Sequence, residues 1–378
     1  MTGHAWERPL TRRGALRTAA LGAAAFGLAG CGLDRSDPDA KAKSERAVKA
    51  KVDGDLYYFN WAEYLNPALI KGFEKRYGVR VIESNFDSMQ GMLAKLGAGN
   101  RYDLIFPTAE WVDRLRKGDQ LLRIDHAQLR NYGQITGFTD YFDDPWYDPE
   151  SAHSVPYSVY TTGICWRADK VGDKLTGSWR DLFDERAKGK IFVLDDVQEA
   201  IGMANLLNGF DLNTTDTAQL EQSKQTLIDQ KPLLRGYSSD TITTMSSGNA
   251  WIEHMWNGDV VNVRNQVSKP ENYKYETCKE GIPVGSDTFA IPADAAHPGT
   301  ALLFIDWLLD PEHAATNIEY FGYPMPNEGG YDAFSRLVKE EPSINVTVEE
   351  LSKGDQFRNL PREGLQAWNQ TWTDVKAA

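Results

Sequence analysis

The 378-residue chain carries 41 basic and 54 acidic side chains, a formal charge of −13. That length exceeds one ordinary core and predicts two domains, while so acidic a surface argues against nucleic acid as a partner and fits a cationic ligand. Apart from Cys31, only Cys165 and Cys278 are present, too few for a disulfide framework and without metal-ligand spacing, so no metal or cofactor is expected.

Arg12 and Arg13 precede an apolar stretch from Ala15 to Ala29 that is too short for a permanent membrane span, so residues 1–30 read as an export signal. Thr11 to Leu16 resembles a twin-arginine signal. Leu28-Ala29-Gly30-Cys31 resembles a lipoprotein box, which would leave Cys31 as the lipid-bearing amino terminus on the extracytoplasmic face of the membrane. Without residues 1–30 the balance is 37 basic to 53 acidic, or −16. Asp34 to Lys51 has no apolar period, so residues 31–54 are expected to form a flexible tether, with the fold beginning near Asp55. Export permits Cys165 and Cys278 to pair, and spacing leaves that open.

Leu56-Tyr57-Tyr58-Phe59 predicts a strand covered on both faces, ending at a Trp61/Glu63/Tyr64 cluster. Asn66-Pro67 supplies an N-cap and a first-turn proline for a helix through Phe73, closed by Gly78. Val79 to Glu83 and Tyr102 to Pro107 read as further strands. Met89, Met92 and Leu96 recur at helical spacing between them, and Thr108 can cap a helix through Trp111 and Leu115. Alternating β and α units predict a parallel sheet, with ligands outside the carboxyl ends of its strands, where Trp61, Tyr64, Thr108 and Glu110 fall. The run from Val155 to Tyr160 reads as a crossing between lobes, and Gly163, Ser178 and Gly189 open segments of a second α/β unit. Where the strand through Leu194 ends at Asp195-Asp196, Asp196 and Glu199 admit two readings, a capping box that satisfies the helix's own amides or a pair of ligand carboxylates. Trp256-Asn257-Gly258-Asp259 follows an apolar turn, Asp287 to Pro292 is a returning strand with a carboxylate at its start, and Gly322 to Asn327 is a rigid loop.

No GxSxG, HExxH, phosphate-loop or GxGxxG motif is present, and the six histidines are scattered. Paired acids could serve glycoside hydrolysis, but acids beside tryptophans and tyrosines at several strand ends suit cation binding better. The segments YFNWAEY, YDLIFPT, SVPYSVYTTGI, DDVQE, MWNG, DTFAIP and GYPMPN resemble, in the same order, the spermidine/putrescine-binding lipoproteins and periplasmic proteins of ABC importers.

The resemblance covers about Leu56 to Asn327 and implies a two-lobed α/β periplasmic binding protein fold of type II, each lobe a mixed sheet flanked by helices, joined by two crossing strands. The lobes would be 55–160 with 287–331, and 161–286 with 332–378. It implies an aromatic cage of Trp61, Tyr64, Trp256 and Tyr323, ammonium-binding carboxylates Asp196, Glu199 and Asp287, and hydroxyl contacts from Thr108 and Ser239. Three positions depart: Glu110 stands in place of an aromatic residue, Gly285 in place of a tryptophan, and the expected glutamine near Phe357 is not recognisable. The implied activity is capture of a polyamine, without catalysis, by a monomer that delivers it to an ABC permease and ATPase complex. The alternatives are the same fold for another amine, an amino-sugar or an iron complex, or an exported glycoside hydrolase.

Overall fold

The computed structural model describes residues 38–86, 88–135, 142 and 144–378; the export signal, the lipoprotein box and Cys31 lie outside the described residues. Its ten strands are β1 (Leu56–Trp61), β2 (Val81–Phe86), β3 (Leu104–Ile105), β4 (Ser154–Arg167), β5 (Ile191–Val193), β6 (Leu234–Tyr237), β7 (Ile252–Trp256), β8 (Tyr273–Glu276), β9 (Pro283–Ala290) and β10 (Asp355–Gln356). They follow the order β2-β1-β3-β9-β4-β7-β5-β6, with β10 beside β9 and β8 beside β4.

β1 is parallel to β2 and β3, and β5 is parallel to β6 and β7, as βαβ crossovers require. Between these parallel groups run β4 and β9, antiparallel to each other. Residues 154–161 of β4 pair with β9, while residues 162–166 pair with β7 and 164–167 with β8. One 14-residue strand therefore belongs to both lobes. The fold is the expected two-lobed arrangement with crossing strands.

Local chemistry sets the element that carries the first site residues. Asn66 accepts from Ala68 N at 2.9 Å, Pro67 opens the helix Pro67–Tyr77, and Gly78 closes it at φ 70° with its amide on Glu74 O at 2.8 Å. That helix buries Phe73 edge-on against Phe304, with Tyr58 beneath, and each such ring contributes about 1.5–3 kcal/mol by leaving water. A second cluster, built on Trp179, Ile191, Ile201 and Trp368, fills the β5–β7 side.

Two expectations change. Residues 38–54 are docked rather than free from Pro38 onward. Pro38–Ser44 is helical, Arg46 donates to Ala295 O at 2.6 Å, and Asp53 accepts from the amides of Gly299 and Thr300, both at 2.9 Å. Asp53 thus caps the helix Pro298–Leu308, whose own N-cap residue His297 makes no side-chain cap. The boundary expected at residue 331 also falls inside a packed unit. Phe334 and Val338 of the next turns bury in the same cluster as Ile318 and Phe321, and the helix Glu328–Leu337 lies against Pro311–Phe321.

Candidate functional site

The carboxyl end of β1 carries the first wall. The chain turns at Glu63, which takes the left-handed φ of 56°, between half-buried Trp61 and Tyr64. Tyr157 donates its hydroxyl to Tyr64 O, and the Tyr64 ring meets Phe321 and Tyr323 edge-on at 5.1 and 5.4 Å. Tyr64 Oη then donates to Asp287 Oδ2 at 2.6 Å, and Ser158 Oγ donates to the same oxygen at 3.0 Å. Asp287 lies within β9 rather than at its start, because the strand extends back to Pro283. It is 4% exposed, and burial pushes it up to about 6, opposed by Tyr64, Ser158 and the nearby Trp61 indole, whose N–H has no well-aligned acceptor among the described residues.

Thr108 forms a bridge with Asp287 and precedes the helix Ala109–Lys117. Its hydroxyl does not cap that helix. It donates instead to Glu110 Oε1 at 2.5 Å. Glu110 is buried rather than turned to solvent, and burial raises it to about 7, with the charges of Asp287 and Asp196 adding to the rise.

The facing wall comes from the helix Val197–Leu207. Asp196 caps it with a single oxygen, accepting from Gln198 N at 2.8 Å and Glu199 N at 3.0 Å. Burial raises Asp196, and these two amides oppose the rise. The reciprocal arm of a capping box is not made, since Glu199 Oε1 accepts from Thr162 Oγ1 at 3.0 Å and Trp256 Nε1 at 2.8 Å. Capping and ligand binding are therefore compatible here. Glu199 Oε2 accepts no hydrogen bond among the described residues and lies 3.8 Å from His254 Nε2. Burial holds Glu199 at about 8 and His254 at about 3, so the pair is neutral near pH 7.

Tyr323 closes the cage by donating to Asp259 Oδ1 at 2.6 Å. Its ring lies over Gly258, where an added Cβ would stand 2.4 Å from ring carbons, so only glycine admits the approach. Asp259, which also accepts from Thr241 Oγ1, is a fifth carboxylate, raised by burial. It sits in the same MWNGD stretch as Trp256, and its place one residue after Gly258 was the available signal. Tyr160 is a second addition. Its ring sits over Gly285, 2.2 Å from where a Cβ would be, so the close approach depends on the glycine that stands there. Near Phe357, Gln356 accepts from Trp146 Nε1 at 2.6 Å. Ser239 is exposed after β6 and shares no hydrogen bond with these residues. Cys165 and Cys278 are both free and buried, and burial raises both thiols.

The site is thus a cluster of Glu110, Asp196, Glu199, Asp259 and Asp287 with Trp61, Tyr64, Trp256 and Tyr323, drawn from strand ends of both lobes. Among the described residues no lysine or arginine pairs with any of the five acids, and no group of His, Cys, Asp and Glu is arranged to hold a metal ion. Fold and site together define a two-lobed binding protein. Residues 68–345 match the bacterial extracellular solute-binding protein family, and the chain belongs to it. It is 32% identical over 341 residues to a spermidine/putrescine-binding periplasmic protein of Salmonella typhimurium, covering 89% of this chain and 96% of that one. A solved Listeria monocytogenes structure superposes with a TM-score of 0.79 at 27% identity, over 86% of this chain and 99% of that one. A lipoprotein of Treponema pallidum does so with a TM-score of 0.75 at 25% identity, over 85% and 99%. The family consists of solute-binding proteins, and the chain is a binding protein rather than a hydrolase.

Proposed function

We propose that the protein is the polyamine-capturing component of an ABC importer, anchored by a lipid on Cys31 and acting as a monomer. One observation carries the reading: five carboxylates and four rings from both lobes converge, and among the described residues no lysine or arginine pairs with any of the five acids. A polyamine supplies the missing positive charges at intervals along an apolar chain that rings can cover. Each charge-assisted hydrogen bond contributes about 1.5–3 kcal/mol and each desolvated cation–π contact up to about 2, so a few of each reach the ~8 kcal/mol of micromolar binding. The likeness to a spermidine/putrescine-binding relative over nearly its whole length supports the same ligand class.

Calorimetric titration with spermidine and putrescine, alongside a native mass spectrum of the protein as purified, tests the reading. Micromolar or tighter binding of either amine is expected. A carried sugar or metal complex, with no amine bound on titration, would replace it by another ligand on the same fold.

The anchor has its own test. Cys31→Ala is expected to release the exported protein from membranes into the soluble fraction, and the mature unaltered chain should begin at an acylated Cys31. A Cys31→Ala protein that still fractionates with membranes through an attached lipid refutes the lipoprotein assignment.

A further inference from the structure

Outside the acid cluster, a cleft opens between the helix Ala109–Lys117 and the segment preceding the C-terminal helix Arg362–Ala377. Glu110, Arg114, Gln198 and Arg358 line it. Arg114 follows Glu110 by four residues on one helix, about 6 Å further along its axis and on the same face. Its guanidinium stands 5.1 Å from the Trp111 ring centre, and that of Arg358 stands 4.2 Å from Trp146. Neither guanidinium is in an ion pair among the described residues. The adjacent acid, Asp113, is already taken by Arg116 and Lys117, each at 2.7 Å, and by Asn359 at 3.1 Å. Two arginines thus lie over ring faces at one cleft of an acidic protein, and burial lowers the pKa of Arg114. Charge thus changes sign along the cleft, from Glu110 inside to two guanidiniums outside.

We infer that Arg114 and Arg358 form a cationic stop that limits ligand length, so that a triamine is accepted and a tetraamine is rejected. The inference rests on the polyamine reading. A ligand whose outermost ammonium pairs with Glu110 ends before the guanidiniums. A further aminopropyl unit would carry another ammonium among them, where like charges repel and the adjacent acid among the described residues, Asp113, is already paired. A merely structural role, with Arg358 stacking across to Trp146 as a clasp, would affect every ligand alike.

Calorimetry on the full-length protein with spermidine and spermine, at one ionic strength, separates the two. The unaltered protein is expected to bind spermidine at least about tenfold tighter than spermine, and the double variant Arg114→Gln/Arg358→Gln to bring the ratio within about threefold. The double lysine variant, which keeps both charges, should retain the discrimination. Should the double glutamine variant fail to fold, each single glutamine variant is read the same way, with a smaller shift toward spermine. Equal affinities in the unaltered protein, or a ratio unmoved by the glutamines, overturns the stop and leaves the polyamine reading standing. If the unaltered protein binds neither amine, both fail.

Discussion

Asp287→Asn is expected to weaken spermidine binding at least about a hundredfold while leaving the protein folded, because truncating one partner of a buried charge pair costs about 2–5 kcal/mol. The amide oxygen can still accept from Tyr64 and Ser158, which reach the carboxylate at 2.6 and 3.0 Å, so the local network survives and only the charge is lost. In the unliganded protein the substitution removes a charge that burial disfavours, so its melting temperature should hold or rise. Asp196→Asn is the informative companion. Asparagine caps a helix about as well as aspartate, so this variant keeps the bonds to Gln198 and Glu199 and removes charge alone. Unchanged calorimetric affinity in both variants would remove the acid clamp as the basis of binding; unchanged affinity in Asp196→Asn alone would make that residue a cap and nothing more.

The second large effect is on pH. Burial raises Asp287 to about 6, Glu110 to about 7 and Glu199 to about 8, all above the values of the same groups in the unfolded chain. Across this range the unliganded native state holds more protons than the unfolded state, so its stability declines as pH rises through the folded pKa values. Glu253, raised by burial to about 9, adds to the decline. His254 has the opposite sign: lowered to about 3 from 6.5, it adds stability as pH rises toward 6.5. The melting temperature of the unliganded protein should therefore fall from about pH 5 to 8, with His254 offsetting one of the four acids below about pH 6.5. An ammonium ligand favours the ionised carboxylates, so affinity should climb at least about a hundredfold from pH 5 to 8 and then level off. Titrations at fixed ionic strength that give one affinity throughout this range would show that these acids do not meet the ligand.

Much of the first wall was legible because it rests on local chemistry. The apolar run of β1, the Asn66 cap and the left-handed Gly78 each act within a few residues, and all three occur as expected. Asp196 as a cap was legible for the same reason. The choice between that cap and the ligand-carboxylate reading was not legible, because the missing reciprocal arm depends on Glu199 turning away to Thr162 and Trp256, which lie 37 and 57 positions away in sequence. Docking of residues 38–54 left no periodic signal. It consists of single side chains on distant backbone groups, such as Arg46 on Ala295 and Asp53 on Thr300, rather than of a buried apolar face. Tyr160 was hidden because its role arises from what Gly285 lacks across a pair of strands. Glu110 admits only the observed geometry to decide it: a first-turn acid is ordinarily solvated, and here the Thr108 hydroxyl and the neighbouring strand ends enclose it.

The docked segment also governs how far the protein can travel. With residues from Pro38 onward fixed to the fold, a lipid on Cys31 leaves seven residues of leash, at most about 25 Å when fully drawn out, whereas a free chain to residue 54 would reach about 80 Å. If Cys31 carries the proposed lipid, so short a leash would confine the cleft to a thin layer above the bilayer, and a membrane-embedded permease would meet the protein at an effective concentration set by that small volume. Delivery by the anchored form would then be a two-dimensional search along the membrane, with substrate diffusing to the protein rather than the protein to the substrate.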